Sequence, residues 1–213
     1  MKALVGRASF GNPDNGAVIQ KIKALGYAAE FAQAFPDDPE PVKPENRGKA
    51  IGAYERTLVT PSPFDTYLKG DTNALTPQAQ DGLRMFIEIG CASCHNGVGV
   101  GGSVFEKFGF FGDYWKETGS QSIDEGRFSE TKEPADKSVF KVPSLRNVAM
   151  TPPYFHDGSV ATLPKAILVM GKVQLGKDLA ERQVEDLLAF LNSLTGERPK
   201  DFVTEPQLSP QAF

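Results

Sequence analysis

At 213 residues, with 40% hydrophobic and 23% charged side chains, the chain is long enough for a sizeable core and has the make-up of an ordinary globular protein of one or two domains. A formal net charge of −4 argues against nucleic acid as a partner, since phosphate binding calls for a clustered basic face. No stretch reaches the ~18–20 consecutive apolar residues of a membrane span. Met1–Val5 runs at once into Gly6-Arg7, too short for the apolar core of a signal peptide, so the chain reads as a mature or trimmed form.

Gly (21) and Pro (16) are plentiful, which favours long ordered loops between helices. Val18, Ile22 and Leu25 recur at helical spacing and predict a first helix over 17–34, ended by the Pro-rich run from Phe35 to Pro41. A second helix is expected over 45–58, with Ile51, Tyr54 and Leu58 on one face and Pro61 and Pro63 ending it. Thr76 before Pro77 is an N-cap with proline at the first helical position. It opens a helix with Leu83, Phe86 and Ile87 on one face, leading into residues 91–95. From Asn96 to Arg146 the chain shows no sustained period, and short β pairing around Phe140–Val142 is the one regular feature expected there. Helices return over 163–170 and 179–194, the last with Val184, Leu187, Leu188 and Leu191 on one face and Gly196 placed to stop it. The expected fold is mainly α with long irregular loops and little β. Its divisions are an N-terminal helical segment over 1–75, a second domain over 76–200 that carries residues 91–95, and a polar tail over 201–213.

Chemistry concentrates in Cys91-Ala92-Ser93-Cys94-His95, a C-x-x-C-H sequence of the kind that attaches a c-type haem. Two thiols that add to the two vinyl groups of one porphyrin must lie about one helical turn apart. The adjacent histidine then places an imidazole nitrogen under the iron. The chain has two cysteines and two histidines in all. A redox C-x-x-C would normally follow a strand, whereas a helix precedes this one. A structural zinc site needs four ligands, and Cys94 and His95 are neighbours that do not easily share one metal. A disulfide between Cys91 and Cys94 would close a very small loop and constrain little. One covalently attached haem c is therefore expected at Cys91, Cys94 and His95, which makes the 76–200 region a cytochrome c-like helical haem domain in expectation. Because such attachment takes place outside the cytoplasm, an exported, periplasmic protein is expected with it.

The second axial position separates carriers from enzymes, because a thioether raises the potential of a closed iron while an open position admits peroxide. The candidates are Met85, Met150, Met170 and His156. Met85 precedes the motif on its helix and reads as a core residue. Periodicity does not choose between Met150 and Met170.

Phe140-Lys141-Val142-Pro143-Ser144-Leu145-Arg146-Asn147-Val148, followed by Thr151-Pro152-Pro153-Tyr154-Phe155-His156-Asp157-Gly158-Ser159, resembles the bacterial di-haem cytochrome c peroxidases and the related methylamine-utilisation haem enzymes. Ala50–Leu58 and Phe190–Gly196 fit the same pattern, so the resemblance runs from about Gly11 to Glu197. In that family one haem meets peroxide and a second, His/Met-ligated haem of high potential collects electrons from a small donor protein. The methionine ligand lies fourteen residues beyond the histidine of Tyr-Phe-His-Asp-Gly, which from His156 leads to Met170. The resemblance thus implies Met170 as sixth ligand and places His156 beside the haem, near a propionate or a domain interface. Arg146 is read either as a propionate partner or as an ordinary surface or salt-bridge arginine. Calcium is implied too, at main-chain oxygens matching Thr151 and Pro153, completed in the family by an asparagine with no counterpart here.

The departures are as informative. The chain has one C-x-x-C-H where the family has two. Ser9 stands before Gly11-Asn12-Pro13, where the family carries its acid–base glutamate, and Trp115 lies beyond the haem motif rather than at the family's inter-haem tryptophan. The chain therefore resembles the electron-entry, C-terminal half. Two functions follow as expectations: an electron-transfer protein served by a small cytochrome or copper protein, or a peroxidase acting through this haem or together with a second haem domain. The run Gly97-Val98-Gly99-Val100-Gly101-Gly102 either forms the rim for such a donor or is glycine-rich only to turn tightly.

Overall fold

The computed structural model describes Val5 and residues 10–198. The fold is mainly α-helical with one small two-stranded sheet. It divides into two compact units, Met1–Val59 with Arg198–Phe213, and Thr60–Glu197. No helix among the described residues is long and apolar enough to cross a membrane.

In the first unit the Asp14 carboxylate accepts the Ala17 N–H at 2.8 Å and starts α1 (Asn15–Ala24). The single helix expected over 17–34 is instead two, because Gly26 takes a left-handed conformation (φ 88°) before α2 (Ala28–Ala34) begins. Pro44 opens α3 (Pro44–Glu55), shorter than the expected 45–58, and Ile51, Tyr54 and Leu58 along and just beyond it are exposed. The Pro-rich turn before α3 is pinned by polar contacts. Asn46, fully buried, donates to Asp38 (2.9 Å) and to the Pro41 carbonyl (3.0 Å), and Lys43 pairs with the same carboxylate. These partners hold the Asp38 carboxyl down at about 2. Arg47 is 4% exposed, and its Nη2 donates to the neutral Asn15 side chain at 3.2 Å while Nε and Nη1 are buried without a hydrogen bond. Among the described residues this buried cation has only a neutral hydrogen-bond partner, which is costly. Arg47→Met is therefore expected to stabilise the chain by about 1–2 kcal/mol in urea denaturation.

In the second unit Ser62 precedes α4 (Pro63–Leu68), a helix absent from the expected elements because Pro61 and Pro63 read only as terminators. Thr76 accepts the Ala79 N–H at 3.1 Å and starts α5 (Pro77–Glu88). After it come a 3₁₀ turn at Cys91–Ser93 and β1 (Phe105–Lys107), then α6 (Tyr114–Thr118) and α7 (Phe128–Thr131). β2 (Val139–Lys141) lies antiparallel to β1 with Phe105 opposite Lys141, within one residue of the expected pairing. α8 (Leu163–Leu175) and α9 (Glu181–Ser193) close the unit.

The core of this unit forms where α5 and α9 cross. Phe190 of α9 meets Phe64 edge-on at 5.4 Å and Phe86 at 5.1 Å, and Leu187, Leu191 and Leu194 are buried with them. The buried face of α5 is Ala79, Gly82 and Phe86, while Ile87 is 58% exposed. Gly82 explains the choice of face. A Cβ there would stand 1.9 Å from the Asp186 carbonyl oxygen and 3.0 Å from the Phe190 Cβ, so the two backbones touch where only hydrogen fits. Gly82→Ala should separate the helices and destabilise the chain by about 2–3 kcal/mol, measured as a lower thermal midpoint by circular dichroism.

Candidate functional site

α5 ends at Glu88, and Cys91 to Ser93 form a tight turn just beyond it rather than its last residues. Within that turn the Cys94 and His95 N–H groups both donate to the Cys91 carbonyl, at 3.3 and 3.0 Å. Asn96 closes it by donating its amide to the carbonyls of Ala92 and Ser93, each at 3.1 Å. Cys91 and Cys94 are free thiols on this one turn, both partly buried. Burial pushes the Cys91 thiol up to about 11. The His95 ring packs near Phe86, with centroids 6.4 Å apart. Burial lowers its pKa despite the nearby carbonyls of Pro143 and Val100, so the neutral, ligating form of the imidazole is favoured. Its Nδ1 is buried without a hydrogen bond of full geometry.

The glycine-rich loop after His95 folds back over that nitrogen. A Cβ on Gly101 (φ 113°) would lie 2.9 Å from His95 Nδ1 and 2.4 Å from the Pro143 carbonyl oxygen. Val100 is buried and Val98 is 92% exposed at the loop's tip. The 143–146 segment holds the loop. Ser144 Oγ donates to the Gly99 carbonyl (2.7 Å), the Leu145 N–H to that of Val100 (3.1 Å), and Arg146 Nε to that of Val98 (3.0 Å). Arg146 is itself gripped by Asp65, with Nη1 at 2.6 Å from Oδ2 and Nη2 at 2.7 Å from Oδ1. Ser62 supports the same carboxylate through its N–H and its hydroxyl, both at 2.8 Å. The Arg146 guanidinium beside it holds the Asp65 carboxyl down at about 2. No haem or catalytic motif includes Asp65 or Ser62, and their one signal in the sequence is Ser62-Pro63-Phe64-Asp65, the S-x-x-D signature of a helix start.

Met170 lies partly buried in the middle of α8, next to the buried Val169. The C-terminal end of that helix is anchored by Gln174, whose amide accepts the Gly109 N–H at 3.0 Å and donates to the Lys107 carbonyl at 2.9 Å. Val169 and Val173 pack with Tyr114, Phe108, Phe140 and Phe155. His156 joins this aromatic group. It stacks on Phe140 at 4.3 Å, meets Tyr114 at 5.5 Å and has Nε2 3.8 Å from an Asp124 carboxylate oxygen. Of the other candidates, Met85 packs against the core and Met150 is 68% exposed. Thr151 and Pro153 are exposed on either side of Pro152. Among the described residues no group of three or more His, Cys, Asp or Glu side chains is placed to hold a metal ion. Ser9 and the 201–213 tail lie outside the described residues.

With this geometry in view, comparisons with known proteins are informative. The family model for di-haem cytochrome c peroxidase matches residues 3–73. Cytochrome c551 peroxidase of Pseudomonas aeruginosa is 49% identical over 82% of this chain and 50% of its own length. Methylamine utilization protein MauG of Methylorubrum extorquens is 31% identical over 90% of this chain and 55% of its own. A crystal structure of a MauG-like protein associated with microbial copper homeostasis superposes with a TM-score of 0.74, at 28% identity, over all of this chain and 70% of that one. The chain is thus related over part of its length to the MauG and di-haem cytochrome c peroxidase family. It spans about half the length of the curated relatives it matches.

Asp65 sets an acid limit for this region. Its folded pKa of about 2 lies below the ordinary 3.8, so its contribution to stability is complete above about pH 4 and is lost as pH falls through 2. Asp65→Asn is expected to remove that limb: between pH 4 and 2 the parent loses stability more steeply than the variant in urea titrations.

Proposed function

We propose that the chain is a mono-haem electron-transfer protein or domain, with haem held covalently by Cys91 and Cys94, His95 as proximal ligand and Met170 as the second axial ligand. The observation that carries this reading is the single turn bearing two free thiols and a neutral, largely buried imidazole. Its donor set suits a covalently attached haem: thiols one turn apart, a ligating nitrogen beside them, and a bare glycine backbone lying against the ring's other nitrogen. The sequence provides one such attachment site. When bound, the haem supplies one-electron chemistry between ferric and ferrous iron. The protein's own part is to keep the imidazole neutral, orient it, hold α8 through Gln174 and exclude water from the ring with the 97–102 loop.

In this reading residues 76–200 form the haem domain and 1–75 the segment leading into it. The chain corresponds to the electron-entry half of the longer relatives, acts outside the cytoplasm, and receives electrons from a small cytochrome or copper protein. The donor docks by a modest, mixed polar and apolar patch around the glycine-rich loop, where Val98 is the most exposed apolar residue. Docking of a basic donor to this acidic chain should slow as salt rises. His156 and Arg146 line the surroundings of the haem, and a calcium ion at the Thr151 and Pro153 main-chain oxygens would need ligands from outside this chain.

A peroxidase is the second reading, favoured by relatives that are named cytochrome c peroxidases. Two measurements separate the readings. A low-spin ferric spectrum, with Met170→His lowering the reduction potential and Met170→Ala opening the site, supports the carrier. Stopped-flow mixing of the haem-loaded chain with hydrogen peroxide and reduced donor should give donor oxidation hardly above free haem, and rapid turnover would transfer the assignment to the peroxidase. Parent-like spectra and potentials in both Met170 variants would remove Met170 from the iron.

A further inference from the structure

We propose that the Asp65–Arg146 ion pair is a positioning device for His95, fixing through the 97–101 loop the carbonyl groups that face the imidazole Nδ1. The inference rests on the reading of His95 as the iron's proximal ligand. Arg146 uses both terminal nitrogens on the Asp65 carboxylate, at 2.6 and 2.7 Å, which leaves Nε directed at the Val98 carbonyl at 3.0 Å. The side chains are 18% and 25% exposed, so this pair is shielded from water far more than an ordinary surface pair. Asp65 is in turn fixed at the start of α4 by the Ser62 N–H, so the chain of contacts ends on a rigid element of the same unit.

At its other end the clamp holds the Val98 carbonyl, three residues before the most constrained point of the loop. Gly101 backbone lies where a Cβ would clash with both His95 Nδ1 and the Pro143 carbonyl, so a shift of a few tenths of an ångström changes what the imidazole faces. A ligating histidine is tuned by the group its second nitrogen meets. A closer carbonyl makes the ring more electron-rich and favours ferric iron. Three glycines in the loop give it little resistance of its own, and the hold comes from Ser144, Leu145 and Arg146. Releasing Arg146 therefore lets the carbonyls withdraw from Nδ1.

The test uses the full chain with Asp65→Asn, Arg146→Gln and Arg146→Lys. Asp136→Asn, which breaks the Arg127–Asp136 pair, serves as a control of comparable chemistry. In the haem-free protein, amide exchange at Gly101 and Leu145, which donate to Asn96 and Val100, should quicken about tenfold or more in Asp65→Asn and Arg146→Gln but not in the control. In the haem-loaded protein the midpoint potential should rise in the same two variants and stay at the parent value in the control. Arg146→Lys keeps the charge without the fork and should fall between; it also keeps the test available if the glutamine variant does not fold. A haem-loaded variant with faster loop exchange and an unchanged potential overturns the inference alone, since a purely structural clamp behaves that way. Exchange no faster than in Asp136→Asn overturns it as well. A chain that takes up no haem at Cys91 and Cys94 overturns the functional reading and the inference together.

Discussion

The contact between α5 and α9 at Gly82 sets the arrangement of Thr60–Glu197. Backbone meets backbone there, with the Asp186 carbonyl occupying the place a side chain would need. That approach turns Phe86 and Ala79 inward, brings Phe190 between Phe64 and Phe86, and leaves α5 ending where the Cys91 turn begins. Core and candidate site therefore share one cause. The aromatic packing that stabilises the unit also seats the His95 ring, through Phe86.

Around the turn, polar contacts do what apolar packing cannot. The stretch from Asn96 to Arg146 is long and mostly irregular, and such a segment is ordered only if its backbone groups find partners. Ser144, Leu145 and Arg146 satisfy the carbonyls of Gly99, Val100 and Val98 in order. Gln174 accepts the Gly109 N–H and donates to the Lys107 carbonyl, tying the middle of the stretch to α8. The irregular region is thus closed on itself beside the His95 turn and joined at its middle to the helix carrying Met170. Its order depends on these polar contacts together with Phe108, Tyr114 and Phe140, which pack against Val169 and Val173.

The relationship to MauG and the di-haem cytochrome c peroxidases frames the site without assigning its residues. The family model matches residues 3–73, ahead of the C-x-x-C-H turn, whereas the curated relatives align across most of the chain. About half of each of those relatives has no counterpart in it. The proposed carrier role follows from the chemistry of one turn and one available attachment site, and the peroxidase alternative from the relatives that extend further.

The sequence by itself determined the helical class, the C-x-x-C-H pentapeptide and most helix positions, because these depend on local spacing and capping. Thr76 and Pro77 start α5 as their side chains dictate, and the Val184–Leu191 stripe faces the core of α9. Tertiary structure decided what depends on partners far along the chain. The inward face of α5 is chosen by Gly82, which carries no weight in a hydrophobic pattern, and Ile87 is left outside. The helix expected over 17–34 is cut at Gly26, whose left-handed backbone is indistinguishable in sequence from a tolerated glycine. The partner of Arg146 is Asp65, 81 residues away, and no period or motif connects a capping carboxylate to an arginine across that separation. Local residues fix what the chain can form, and only close packing fixes which charged groups meet.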